Sequence, residues 1–147
     1  GKMEKTNLIG LVTALAFFVS ASLVFVFRLL GRPRAGYWLG IFELLLAIPL
    51  LYLLIKAPSE GRPTLFYIQI GAILLWLVVE LFLDYILMID FRQVRWMVIT
   101  YVMLFFAGAG GLLGIASNAG KPWSIIGIVL FLVMAVLTFV QRKVTGM

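Results

Sequence analysis

The chain has no cysteine and no histidine among its 147 residues. The first absence removes disulfides, thiol redox chemistry and thiolate metal sites. The second removes histidine-ligated haem, the usual zinc sites and any Ser-His-Asp arrangement. Charge is scarce as well: 12% of the residues are charged, against 64% hydrophobic, and the mean hydropathy is +1.15. Water cannot solvate such a composition, so the chain reads as an integral membrane protein. The formal net charge of +6 does not point to nucleic acid. The basic residues fall in short connections and termini, where anionic headgroups and membrane topology account for them.

What is present is a series of five apolar segments, each about 20 residues long, as a bilayer core requires. They lie near 7–30, 37–56, 64–89, 94–117 and 123–141. Their connections carry turn chemistry: Gly-Arg-Pro-Arg after the first, Ala-Pro-Ser-Glu-Gly-Arg-Pro after the second, Asn-Ala-Gly-Lys-Pro before the fifth. The expectation is an all-α five-transmembrane-helix bundle with short loops and antiparallel neighbours, residues 1–147 forming a single transmembrane domain. Gly1 and Lys2 ahead of Met3 read as an appendage, and the first segment is too long for a signal-peptide core. Membrane lipids are its expected surroundings, a second copy or a larger membrane complex its expected company, and no cofactor is implied.

Five spans put the termini on opposite sides. Lys2, Lys5, Lys56, Arg62 and Lys121 fall on one side, and Arg28, Arg32, Arg34, Arg92, Arg95, Arg142 and Lys143 on the other. The positive-inside rule then predicts N-terminus out and C-terminus in, in a plasma (inner) membrane. Aromatic residues near the span ends agree with interfacial belts: Tyr37, Trp38 and Trp96 on the inner side, Tyr52, Tyr67 and Trp123 on the outer. Trp76 stands apart, near the middle of the third span.

Glu43, Glu80 and Asp84 lie inside apolar spans, where a lone carboxylate costs several kcal/mol and normally faces a bundle interior, a partner or a water-filled cavity. At about 1.5 Å per residue, Glu43 sits roughly 10 Å, Asp84 roughly 9 Å and Glu80 roughly 15 Å from the inner end of its helix. All three therefore share the inner half. Arg28, Thr100, Tyr101, Thr138 and Gln141 fall in the same layer.

Helical spacing argues for facing. Gln69, Trp76, Glu80 and Asp84 form one stripe of the third span, which is expected to be the most enclosed of the five. Gly36, Gly40, Glu43 and Ala47 share a face of the second span, and Gly10, Ala14, Phe17, Ala21 and Arg28 one of the first. Small residues are what membrane helices use to approach one another, so both acids and Arg28 should turn inward. Two carboxylates brought together in low dielectric cannot both ionise cheaply, so Glu43 and Glu80 are expected to be coupled.

Plainer readings exist for each. Arg28 can snorkel to headgroups, Asp84 can be interfacial, and Asp90 with Gln93 matches a capping box for the fourth helix. A buried pair that fixes helix register would account for Glu43 and Glu80 without a ligand. Pro49 should kink the second span by leaving the Leu45 carbonyl without its donor. Gly110 and Gly114 fit a small-xxx-small packing pattern.

Catalytic signatures are missing. The acids form neither the Gly-x-Gly-Asp pattern of intramembrane aspartyl proteases nor the Asp-x-x-Asp-Gly arrangement of CDP-alcohol phosphotransferases, and no glycine loop cradles phosphate. The sequence thus points first to transport or binding of a cation or proton-linked small solute, with Glu43, Glu80 and Asp84 as acceptors, Arg28 as counter-charge, and Trp76 and Tyr101 as an aromatic wall. A noncatalytic subunit or assembly partner comes second, and a lipid-modifying enzyme last. Reporter fusions test the orientation. A reporter active only in the cytoplasm should work at the C-terminus and fail at the N-terminus, and the opposite pattern would reverse the topology.

Overall fold

The computed structural model describes residues 2–86 and 95–145, apart from the side chains of 2–4, 33, 84–86 and 145. The described residues are helices and short turns with no strand, and five helical spans are long and apolar enough to cross a membrane. The chain is an integral membrane protein with an all-α five-helix bundle. The elements are α1 (Lys2–Leu29), α2 (Pro33–Leu45), α3 (Ala47–Glu60), α4 (Thr64–Glu80) followed by a π-helical segment (Leu81–Ile86), α5 (Arg95–Ser117) and α6 (Lys121–Thr145). α2 and α3 together make the second span, Arg34–Glu60.

The first two connections are built alike. α1 ends where Gly31 takes a left-handed φ of 72°, while Arg32 N–H donates to the Phe27 carbonyl at 2.8 Å and Gly31 N–H to that of Arg28 at 3.1 Å. α3 ends the same way at Gly61, φ 65°, with Arg62 N–H donating to Ala57 and Gly61 N–H to Pro58. Both are Schellman caps, which satisfy the last carbonyls of a helix and turn the chain through a residue that has no Cβ penalty. A proline follows each, Pro33 opening α2 and Pro63 preceding α4, as suits a residue with a fixed φ and no N–H to leave unmade.

The second span runs further at both ends than hydropathy placed it. Ala57 to Glu60, read as loop, form the last turn of α3 with Pro58 inside it. One missing N–H is tolerated there because the glycine cap stops the helix immediately afterwards. The kink expected at Pro49 takes the form of a break at Leu46. Pro49 cannot bond the Leu45 carbonyl, and the Leu46 N–H tightens to the i−3 carbonyl of Glu43 at 3.0 Å.

α1 packs against α2, α3, α5 and α6, while α4 lies between α3 and α5. This arrangement corrects the expectation that the third span is the most enclosed. Over its most apolar 18-residue stretch the first span is 56% buried and the described part of the third 33%. The cause is the small-residue face of α1: Gly10, Ala14, Ala21 and neighbouring Ser20 are all buried, so several helices can close around one post. The facing inferred for Gly36, Gly40 and Glu43 holds, all three being buried. Tyr37, Trp38, Tyr52, Trp96 and Trp123 are exposed near the span ends, whereas Tyr67 packs partly against the core.

α4 and α5 make the closest approach. A methyl group on Gly111 would lie 2.7 Å from the Gln69 carbonyl oxygen and one on Gly108 3.1 Å from the Ile73 Cα, while Gly114 sits under the Gln69 amide. The helices meet along an i, i+3 row, so the contact uses Gly108, Gly111 and Gly114, and Gly110 from the expected pair faces outward with nothing within 4 Å. Gly111→Ala should therefore destabilise by about 1–3 kcal/mol through overpacking. Gly110→Ala should be neutral or stabilise by up to about 1 kcal/mol. Thermal unfolding in detergent checks this, and equal responses from the two variants would contradict the packing.

Candidate functional site

Five of the six residues singled out from the sequence line one cavity: Arg28 from α1, Glu43 from α2, Trp76 and Glu80 from α4, and Tyr101 from α5. The sixth, Asp84, has its backbone in the π-helical segment, but its side chain lies outside the described residues, as do Asp90 and Gln93. The cavity measures about 60 Å³. At about 10–15 Å³ for each water-sized position, that is room for several waters or one compact ligand. It lies in the half of the bundle that carries the α1–α2 turn and the C-terminus, called here the C-terminal side.

Local structure positions each acid. Glu43 follows the buried Gly36 and Gly40, which bring α2 close to α1, and it is 3% exposed. Ser20 of α1 meets it there. The Ser20 Oγ lies 3.2 Å from Glu43 Oε1 and 3.0 Å from the Phe17 carbonyl, so its single proton is divided between two acceptors. The α2–α3 break follows one turn later. Glu80, also buried, is the last residue of α4, and the π-helical segment starts at the next position. π-Turns inside α-helices are uncommon and recur at functional sites.

The floor is aromatic. Trp76 packs edge-on against Phe17, with ring centroids 5.6 Å apart, and tilted against Phe105 at 5.2 Å. On its other side Tyr101 lies at 5.9 Å, forming the expected aromatic wall. The indole Nε1 of Trp76 is buried and has no hydrogen-bond partner among the described residues. Arg28 stands at the C-terminal side of the cavity with its guanidinium 5.8 Å from the centre of the Phe25 ring, and its charge bears on the Glu43 carboxylate.

α6 closes the remaining wall with Thr138, Gln141 and Arg142. Thr138 and Gln141, placed in the same layer by depth, are buried. Thr100 is not part of the site; it is exposed and its hydroxyl donates to the Trp96 carbonyl at 2.9 Å. Gln69 shares the α4 stripe but lies against the glycines of α5 instead. Two contributors were missed. Ser20 sits three residues after Phe17 on a face already marked by small residues, and Arg142 follows Thr138 by one helical turn. Both signals were legible once the layer was known.

The lining thus combines two carboxylates, two guanidinium groups, an indole donor and aromatic faces in a space with apolar walls. Carboxylates and ring faces attract a cation, while the guanidinium and indole groups offer donors to an oxygen. Searched against protein-family models, curated proteins and solved structures, the chain matches none of them.

A second buried cluster closes the opposite, N-terminal side. Arg62 pairs with Glu60, its Nε 3.2 Å from Oε1, and its Nη2 donates to Thr6 Oγ1 at 3.0 Å and to Asn7 Oδ1 at 2.7 Å. Thr6 in turn donates to Glu60 Oε2 at 2.7 Å, and the guanidinium lies 4.7 Å from the centre of the Phe66 ring. The network ties the start of α1 to the α3–α4 turn. Arg62→Met should destabilise by about 3–5 kcal/mol by leaving Glu60 buried and uncompensated. Adding Glu60→Gln should recover part of that loss. A double-mutant cycle on melting in detergent measures it, and strictly additive effects would contradict the coupling.

Proposed function

We propose that the protein binds a small cationic solute at the carboxylate-lined cavity and carries it across the membrane, alone or in exchange with protons. The observation that supports this most is the convergence of Glu43 and Glu80 on one cavity. A pair kept only to fix helix register gains nothing from open space beside it, and unfilled volume weakens packing. The positive-charge bias supports placing the site in the cytoplasmic half of a plasma membrane. The contrast between the two ends fits this reading: the polar cavity lies toward one side, and the Arg62 network and the α4–α5 glycine contact lie toward the other.

Calorimetric titration of the purified protein with sodium, potassium, methylammonium and ethylammonium tests the binding step. At least one cation should bind saturably, and Glu43→Gln or Glu80→Gln should weaken it at least about tenfold, the effect expected from removing a charged hydrogen-bond partner. Proteoliposomes loaded with a pH-sensitive dye then report whether the bound cation crosses and whether protons move with it. No saturable binding, or binding indifferent to both substitutions, would overturn the proposal.

A further inference from the structure

We infer that the ligand of this cavity is a compact organic ammonium compound that also carries an oxygen acceptor, and that the indole N–H of Trp76 recognises that oxygen. The inference rests on the cation-binding reading above and narrows it. Trp76 is 3% exposed and lines the cavity, and its Nε1 makes no hydrogen bond among the described residues. An indole nitrogen is a donor only, and a buried donor left unmade is costly. A metal ion or a simple alkylammonium brings no acceptor of its own and leaves the indole to water. A hydroxyl, carbonyl or carboxylate oxygen does.

The surroundings fit such a molecule. Val24, Phe25, Val102 and Phe105 give the cavity apolar and aromatic walls, suited to a carbon skeleton more than to a hydrated inorganic ion. The two arginines among the lining residues oppose a bare cation and favour a ligand with an electron-rich end. Trp76 and Glu80 are one turn apart on α4, about 6 Å along the axis. A nitrogen and an oxygen separated by two carbons can reach both. The volume of about 60 Å³ corresponds to roughly four to six water-sized positions, which sets the ligand at a similar number of non-hydrogen atoms.

Ethanolamine and ethylamine carry the same ammonium group and differ by one hydroxyl, so they isolate the oxygen contact. Titrated calorimetrically into the wild-type protein in detergent, ethanolamine should bind about five- to tenfold more tightly, the worth of one hydrogen bond. In Trp76→Phe, which keeps a ring in the aromatic floor, the two should bind within about twofold of each other. Equal affinities in the wild type would overturn the inference whether or not the variant folds, as would a preference that survives in Trp76→Phe. Saturable binding of sodium or potassium without either amine would overturn the inference and leave the cation-binding reading standing. Absence of binding by every cation tested would remove both.

Discussion

The cost of placing charge in hydrocarbon governs this bundle. Lipid tails are as apolar as leucine, so burying the aliphatic surface of these helices against one another gains little beyond packing. A carboxylate turned toward lipid, in contrast, costs several kcal/mol. Facing is therefore decided by a few polar side chains and the rest of the surface follows. Glu43 looks inward from α2 and Glu80 from α4, Ser20 meets the first from α1, and the outward faces carry Leu, Ile, Val and Phe. α1 takes the central place because its small residues let α2, α3, α5 and α6 come close.

The two ends of the bundle solve the same problem differently. On the N-terminal side the polar groups consume one another: Arg62 is matched by Glu60, Thr6, Asn7 and the Phe66 ring, and glycines bring α4 and α5 into backbone contact. On the C-terminal side polar groups also line a cavity, and the helices that carry the acids depart from regular α-helix beside them. The second span breaks at Leu46, one turn beyond Glu43, and α4 opens into a π-helical segment directly after Glu80. One half has the character of a fixed clasp and the other that of a site, with the Phe17–Trp76–Phe105 aromatic cluster between them.

Much of this was legible in the sequence, and the boundary has a physical cause. Hydropathy and turn residues fix spans, and the 3.6-residue period fixes which side chains share a face, so the common layer of Arg28, Glu43, Glu80 and Tyr101 was readable from depth and the inward facing of Arg28, Glu43, Trp76 and Glu80 from spacing, while nothing in the sequence set the facing of Tyr101. Which helix neighbours which is not encoded in any helix's own period. For that reason α1 was not foreseen as the central post, and the glycine row on α5 was assigned to Gly110 and Gly114 instead of Gly108, Gly111 and Gly114. The Arg62 network joins residues up to 56 positions apart, and Arg62 in a Gly-Arg-Pro turn looked the same as Arg32 in another, yet only Arg62 is buried. Ser20 was overlooked because a serine in a membrane helix can satisfy itself on its own backbone, and only the proximity of Glu43 gives it a second acceptor.

The central claim, that the acids face a cavity that water fills, with access proposed from the C-terminal side, is most directly tested by thiol accessibility, and the absence of cysteine supplies a clean background. Val102 of α5 lines the cavity, whereas the adjacent Met103 is 68% exposed on the outer surface of the bundle, toward lipid. A membrane-impermeant thiol reagent reacts with thiolate, which forms in water and not in hydrocarbon. Val102→Cys in sealed vesicles should be labelled from the C-terminal side and protected from the N-terminal side, with Met103→Cys unreactive from both. Val102→Cys as inert as Met103→Cys would show a dry, closed interior and contradict the account.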